Sequence, residues 1–139
     1  MQPDAVRLQE TAAWLRSAHL DLRAARVDLD ARPPLSEDAL FHCQQAVEKA
    51  LKGYLSWHDE PFRKTHSLVE LGVQCAEISP DLEAVLREAA ALSVYATKYR
   101  YPQAASVVPS PDEAASALEL ATRAVSVISA DLPEHACGS

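Results

Sequence analysis

The 139-residue chain is poor in glycine, with only Gly53, Gly72 and Gly138, so tight hairpins and a phosphate-cradling glycine loop have little raw material. Aromatic residues make up only 6% of it, and the strand-like alternation of Val, Ile, Thr and aromatics is missing. Positive charge is in deficit. The formal net charge of −7 argues against wholesale binding to duplex nucleic acid, which needs a broad basic surface. No apolar run approaches the ~20 residues of a membrane-spanning helix. Met1 leads into a polar, amphipathic segment rather than a secretion signal, which makes the cytoplasm the expected location and a membrane an unexpected partner. Cys43, Cys75 and Cys137 are odd in number and lack C-x-x-C spacing, so neither a disulfide framework nor a zinc site is expected. P-loop, dinucleotide, HExxH and G-x-S-x-G patterns are all missing, and no cofactor or metal is expected.

What the chain does have is alanine and leucine at helical spacing, and 48% hydrophobic residues in all. Leu8, Ala12, Leu15, Ala18, Leu22, Ala25 and Leu29 recur at three- and four-residue steps, predicting a helix over 4–31. Arg16, Arg23, Asp28 and Asp30 fall to its opposite face. Arg32-Pro33-Pro34 ends it, because a proline disfavours helical geometry in the residue before it. Ser36 is the expected N-cap of a second helix over 37–58, with Leu40, Cys43, Val47, Ala50, Leu51 and Tyr54 inward. Gly53 near its end weakens it slightly or permits close packing. Ser67 and Glu70 form an S-x-x-E capping box for a short helix over 68–78. Ser79-Pro80 opens a fourth over 80–95, and Ser110-Pro111-Asp112-Glu113 a last one to about 131. The expectation is an all-α, antiparallel up-and-down bundle of four main helices plus one short helix. It forms a single domain over 1–132, followed by a disordered tail at 133–139.

Three segments carry chemistry. On the second helix His42, Gln45, Lys49 and Lys52 step by three or four and share a face that could bind a phosphate and a base edge. The same face could equally be solvated and held by a Glu48–Lys52 pair. Tyr99-Arg100-Tyr101-Pro102 places a guanidinium, suited to phosphate, between two rings able to stack on bases. Alternatively, the tyrosines pack on the bundle end and Arg100 makes a structural ion pair. Arg63-Lys64-Thr65-His66 leads into a helix N-terminus, which favours anions. There His66 is either a proton-transfer group or a residue that fixes the loop by hydrogen bonding. Lys49, Lys52, Arg63, Lys64, Lys98 and Arg100 would make a local positive pocket on an acidic protein if these segments converged. Trp14 and Trp57 read as packing anchors.

The pattern Ala39-x-Phe41-x-x-Gln44-Gln45-Ala46-x-Glu48-Lys49-x-Leu51-Lys52, then Thr65-His66-x-Leu68-x-x-Leu71, then Arg100-Tyr101-Pro102, resembles the signature of HEPN-domain proteins of the R-Y-P type. Trp14 and Asp21-Leu22 fit the same pattern, and the resemblance spans roughly residues 10–130. It implies a helical bundle that dimerises and is a companion of a minimal nucleotidyltransferase, often in a toxin–antitoxin pair. Nuclease members carry Arg-x4-6-His, two copies of which face each other across the dimer as a metal-independent RNase site. Here the positions four to seven residues after Arg100 are Ala104, Ala105, Ser106 and Val107, with no histidine before His135. The resemblance therefore implies a non-catalytic module. Gln45, Lys49, Lys52, His66, Arg100 and Tyr101 would hold a nucleotide or single-stranded RNA phosphate. The alternatives are an RNase toxin with an altered site, using Arg100 with His66 or His42, and a scaffold that binds only protein.

Overall fold

The computed structural model describes residues 4–101 and 108–136. Its elements are α1 (Asp4–Asp30), α2 (Ser36–Trp57), α3 (Leu68–Ile78), α4 (Glu83–Ala89) and α5 (Pro111–Ala130). Three 3₁₀ segments, Pro80–Leu82, Ala90–Ala96 and Glu134–Ala136, complete the described residues, which contain no strand.

Contacts between helices set the topology. Asp21 of α1 meets His42 of α2, Gly53 lies beside Leu15 and Trp14, and Arg7 reaches the Trp57 carbonyl. As numbers rise along α2 they fall along α1, so the two helices are antiparallel. Tyr95 bonds Glu113 while Arg123 pairs with Glu88, which makes α4 and its 3₁₀ extension antiparallel to α5. Four helical rods thus alternate in direction, with α3 as the short extra helix. Between α2 and α3, residues 58–67 run back along α2 until His66 lies beside Gln44.

The inward stripe expected on α2 is buried throughout, from Leu40 to Tyr54. It meets Leu15, Ala18, Leu22 and Ala25 of α1, Leu68, Leu71 and Cys75 of α3, and the alanine-rich face of α5 with Val125 and Ile128. Gly53 is required by this packing, because a Cβ there would lie 2.6 Å from Leu15 Cδ2 and 2.9 Å from Trp14 Cβ. Asp59 closes α2 with φ of 55°, while the Asp59 and Glu60 amides bond the Ser56 and Leu55 carbonyls. That is a left-handed Schellman end built on aspartate rather than glycine. Trp14 packs edge-on to Phe62, and Trp57 lies under the Arg7 guanidinium. No helix among the described residues is long and apolar enough to cross a membrane.

Four expectations need correction. Ser36 is the first residue of α2 rather than its cap. Leu35 takes the cap position without a side-chain bond, its amide tied to the Asp28 carbonyl at 2.9 Å. Asp28, expected on the solvated face of α1, is buried, because that turn packs against the start of α2. The helix expected over 80–95 is divided, with only Glu83–Ala89 in α geometry. The tighter winding after Ala89 brings Ser93 Oγ within 3.1 Å of the Leu68 amide and 3.2 Å of the His66 carbonyl. Finally, the tail expected to be disordered from 133 forms a 3₁₀ turn at Glu134–Ala136 that buries Ala136. Residues 137–139, with Cys137 and Gly138, lie outside the described residues. The capping bonds of Ser67 to the Glu70 amide and Ser110 to the Glu113 amide are present as expected.

Candidate functional site

The polar residues of α2 divide between two networks. In the first, Glu48 is buried and surrounded by donors. Gln44 Nε2 donates to Glu48 Oε1 at 3.0 Å and lies 3.1 Å from the His66 carbonyl. His66 Nδ1 lies 2.8 Å from Glu48 Oε1, and Lys52 Nζ donates to Glu48 Oε2 at 3.1 Å. Gln45 Nε2 donates to Gln44 Oε1 at 2.7 Å. Burial pushes the Glu48 carboxyl up, but the bonds from Gln44, His66 and Lys52 outweigh it and hold it below its usual range. Lys52 is also buried, its ammonium between the Trp14 and Phe62 rings at 5.9 and 5.8 Å. This network joins α2 to the returning 58–67 segment, and the expected Glu48–Lys52 pair is internal rather than solvated.

The second network lies at the other end of α2, against α1. Lys49 Nζ is 2.7 Å from Asp21 Oδ2, and His42 Nδ1 is 2.8 Å from Asp21 Oδ1. His42 Nε2 faces Asp38 Oδ2 at 3.3 Å, and Arg100 meets Asp38 Oδ1 at 3.3 Å. The Arg100 guanidinium lies over the Phe41 ring, 3.9 Å from its centroid, a cation–π seat that fixes its plane. Asp28 sits beside Asp38. Burial first, and then the hydrogen bond and charge of Asp38, raise its carboxyl to about 6. Burial pushes Asp38 up as well, but the hydrogen bond from Asp28, His42 and Arg100 outweigh it and hold it low. A cleft of about 600 Å³ opens at this end, lined by Pro33, Pro34, Asp38, Tyr99, Arg100 and Pro111 among others.

The six cations expected to converge are therefore distributed. Lys49 and Arg100 belong to the cleft end, Lys52 and His66 to the Glu48 network, and Arg63 to an exposed bidentate pair with Glu70. Lys98 lies over the Tyr99 ring and Lys64 is exposed. Tyr101 is 74% exposed beside Arg100, while Pro102, Ala104, Ala105, Ser106 and Val107 lie outside the described residues. His42 and Arg100 come together through Asp38, and His66 does not join them. Burial pushes the Cys43 and Cys75 thiols up to about 12, which makes them inert.

Asp21, Asp28 and Asp38, the acidic half of this arrangement, were not among the site residues expected from the sequence. Asp21 and Asp28 stand seven residues apart within the Ala18–Leu22–Ala25 seam. Aspartate repeated at that spacing on a buried helix stripe is the signal that could have revealed them.

Known proteins add a relationship to this geometry. A family model described as HEPN domain matches residues 11–130. The crystal structure of TT1696 from Thermus thermophilus is similar, with 28% identity, a TM-score of 0.70, and coverage of 88% of this chain and 98% of that one. No curated protein matches the chain. With the match spanning α2, the Glu48 network and the Arg100 segment, the chain belongs to the HEPN domain family.

Proposed function

We propose that this HEPN protein is a non-catalytic module that holds a nucleotide or RNA phosphate beside Arg100, working as a dimer with a nucleotidyltransferase partner in a toxin–antitoxin-like pair. The observation that carries this reading is Arg100 itself. Its guanidinium is seated on Phe41 at the lip of the cleft, with Tyr99 in the wall and exposed Tyr101 alongside. Its ion pair with half-exposed Asp38 is a long one, at 3.3 Å. A bidentate phosphate is a stronger partner than that long contact, and a tyrosine ring offers a base a stacking surface. Lys49 supports the site through Asp21, whereas Lys52 and His66 hold α2 to its neighbours and Gln45 buttresses Gln44. Exposed Leu20 and Val27, two turns apart on α1, supply apolar surface for a second copy.

A second reading draws on the shared contacts of His42 and Arg100 with Asp38. In an RNase with an altered site, His42 would accept the 2′-hydroxyl proton and Arg100 would stabilise the phosphorane. One experiment separates the two. Fluorescently labelled single-stranded RNA and ATP are titrated against the protein in chelator, and the RNA is then run on a gel. Saturable binding without cleavage, weakened at least about tenfold (roughly 1.4 kcal/mol) in Arg100→Ala, is the expected result. Cleavage lost in Arg100→Ala and His42→Ala would establish the RNase. Absence of saturable binding would sink both readings.

A further inference from the structure

We propose that Asp28, Asp38 and His42 form a binding site for a divalent transition cation, Zn²⁺ being the best fit to an imidazole nitrogen with two carboxylate oxygens. One donor atom from each of the three lies within 4.8 Å of the others. His42 Nε2 and Asp38 Oδ2 are 3.3 Å apart. Two donors each ~2.0–2.1 Å from a tetrahedral ion stand about that far from one another.

The surroundings suit a metal ligand set. Asp21 can only accept at Oδ1, so His42 Nδ1 donates to it at 2.8 Å, and Nε2, which faces Asp38, is the ring nitrogen left for a metal. A carboxylate behind a histidine is the usual outer support of a ligating imidazole, and Lys49 anchors that carboxylate from its other oxygen. Asp28 supplies an independent sign. It is only 8% exposed, it faces Asp38 and His42, and its Oδ2 meets no donor outside that cluster. A buried carboxylate oxygen without a donor is costly, and a bound cation removes the cost. Charge agrees, since Asp21, Asp28 and Asp38 face two cations, Lys49 and Arg100. The cleft, which Asp38 lines, gives an ion and its remaining water ligands a way in. Arg100 engages Oδ1 of Asp38, which leaves Oδ2 to the ion.

The test uses untagged full-length chain, stripped with chelator and dialysed, and titrated with ZnCl₂ by calorimetry. Co²⁺ absorption reports the ligand field. The expected result is saturable binding of one ion per chain, with affinity reduced about tenfold or more in Asp28→Asn and in His42→Gln. The visible Co²⁺ band should be lost in the same variants. Circular dichroism verifies their folding, and Asp38→Asn, at a half-exposed position, replaces either variant that does not fold. Failure of both Zn²⁺ and Co²⁺ to bind the wild type saturably would overturn the proposal. So would binding that is unchanged in the folded variants, which would place the ion elsewhere. Because the titration contains no nucleotide or RNA, its outcome is independent of the phosphate reading.

Discussion

A carboxylate as enclosed as that of Glu48, 4% exposed, stays charged in the fold only while donors surround it. Gln44 and Lys52 of α2 and His66 of the returning segment supply those donors, so Glu48 ties residue 66 to α2. Replacing it by alanine strands the Lys52 ammonium between two aromatic rings with no counter-ion. Glu48→Ala is expected to lose about 3 kcal/mol in urea unfolding, the usual cost of leaving a buried charge unpaired. Stability equal to wild type would show that the network does not pin residues 58–67 to α2. The residue-by-residue logic also explains why the α2 motif divides as it does. Positions 44 and 48 turn toward the returning segment, while 42 and 49 turn toward Asp21.

Among the elements, α1 and α2 set the frame, and their approach depends on the missing side chain at Gly53. Alanine is the better helix former, so on propensity alone Gly53→Ala should stabilise α2 by about 0.5–1 kcal/mol. Packing decides against that gain, because both neighbours of the new methyl are core atoms within 3 Å. The expected outcome is a net loss of about 1–3 kcal/mol, read as a lower urea midpoint at constant m. A stabilised variant would mean that the two helices separate without strain. Most elements were legible in the sequence because stripe and cap agree. The leucine–alanine seam marks α1, and Ser67–Glu70 and Ser110–Glu113 mark the starts of α3 and α5. The helix expected over 80–95 was not legible, since its tightening after Ala89 answers to bonds between Ser93 and residues far away in sequence.

At the scale of the whole molecule, the candidate site was legible as residue types but not as a grouping. Helical spacing places His42, Gln45, Lys49 and Lys52 on one face, yet only the docking of α1 and of residues 58–67 decides what that face meets. The seam aspartates were hidden for a similar reason, since the burial of Asp28 depends on the turn that brings α2 back against α1. That packing makes a pH signature. The Asp28 carboxyl is raised to about 6 from an unfolded value of ~3.9. A raised carboxyl contributes stability that is fully present below the unfolded value and is lost as pH rises through about 6. Glu48 and Asp38, both held low, act in the opposite sense and lose their contribution as pH falls below the usual carboxylate range. His58, lowered chiefly by burial, also gains stability with rising pH, so the wild-type curve alone does not isolate Asp28. The difference between Asp28→Asn and wild type does. An asparagine amide can donate to Asp38 as the protonated carboxyl does, without ever ionising. In chelator, which keeps cations off the cluster, the variant should match wild type near pH 4. It should become more stable than wild type by about 2 kcal/mol at pH 7, with the gap opening between the two carboxyl values. Urea titrations at pH 4, 5, 6 and 7 measure that gap. A constant offset across the series would mean that Asp28 ionises as freely in the fold as in the unfolded chain.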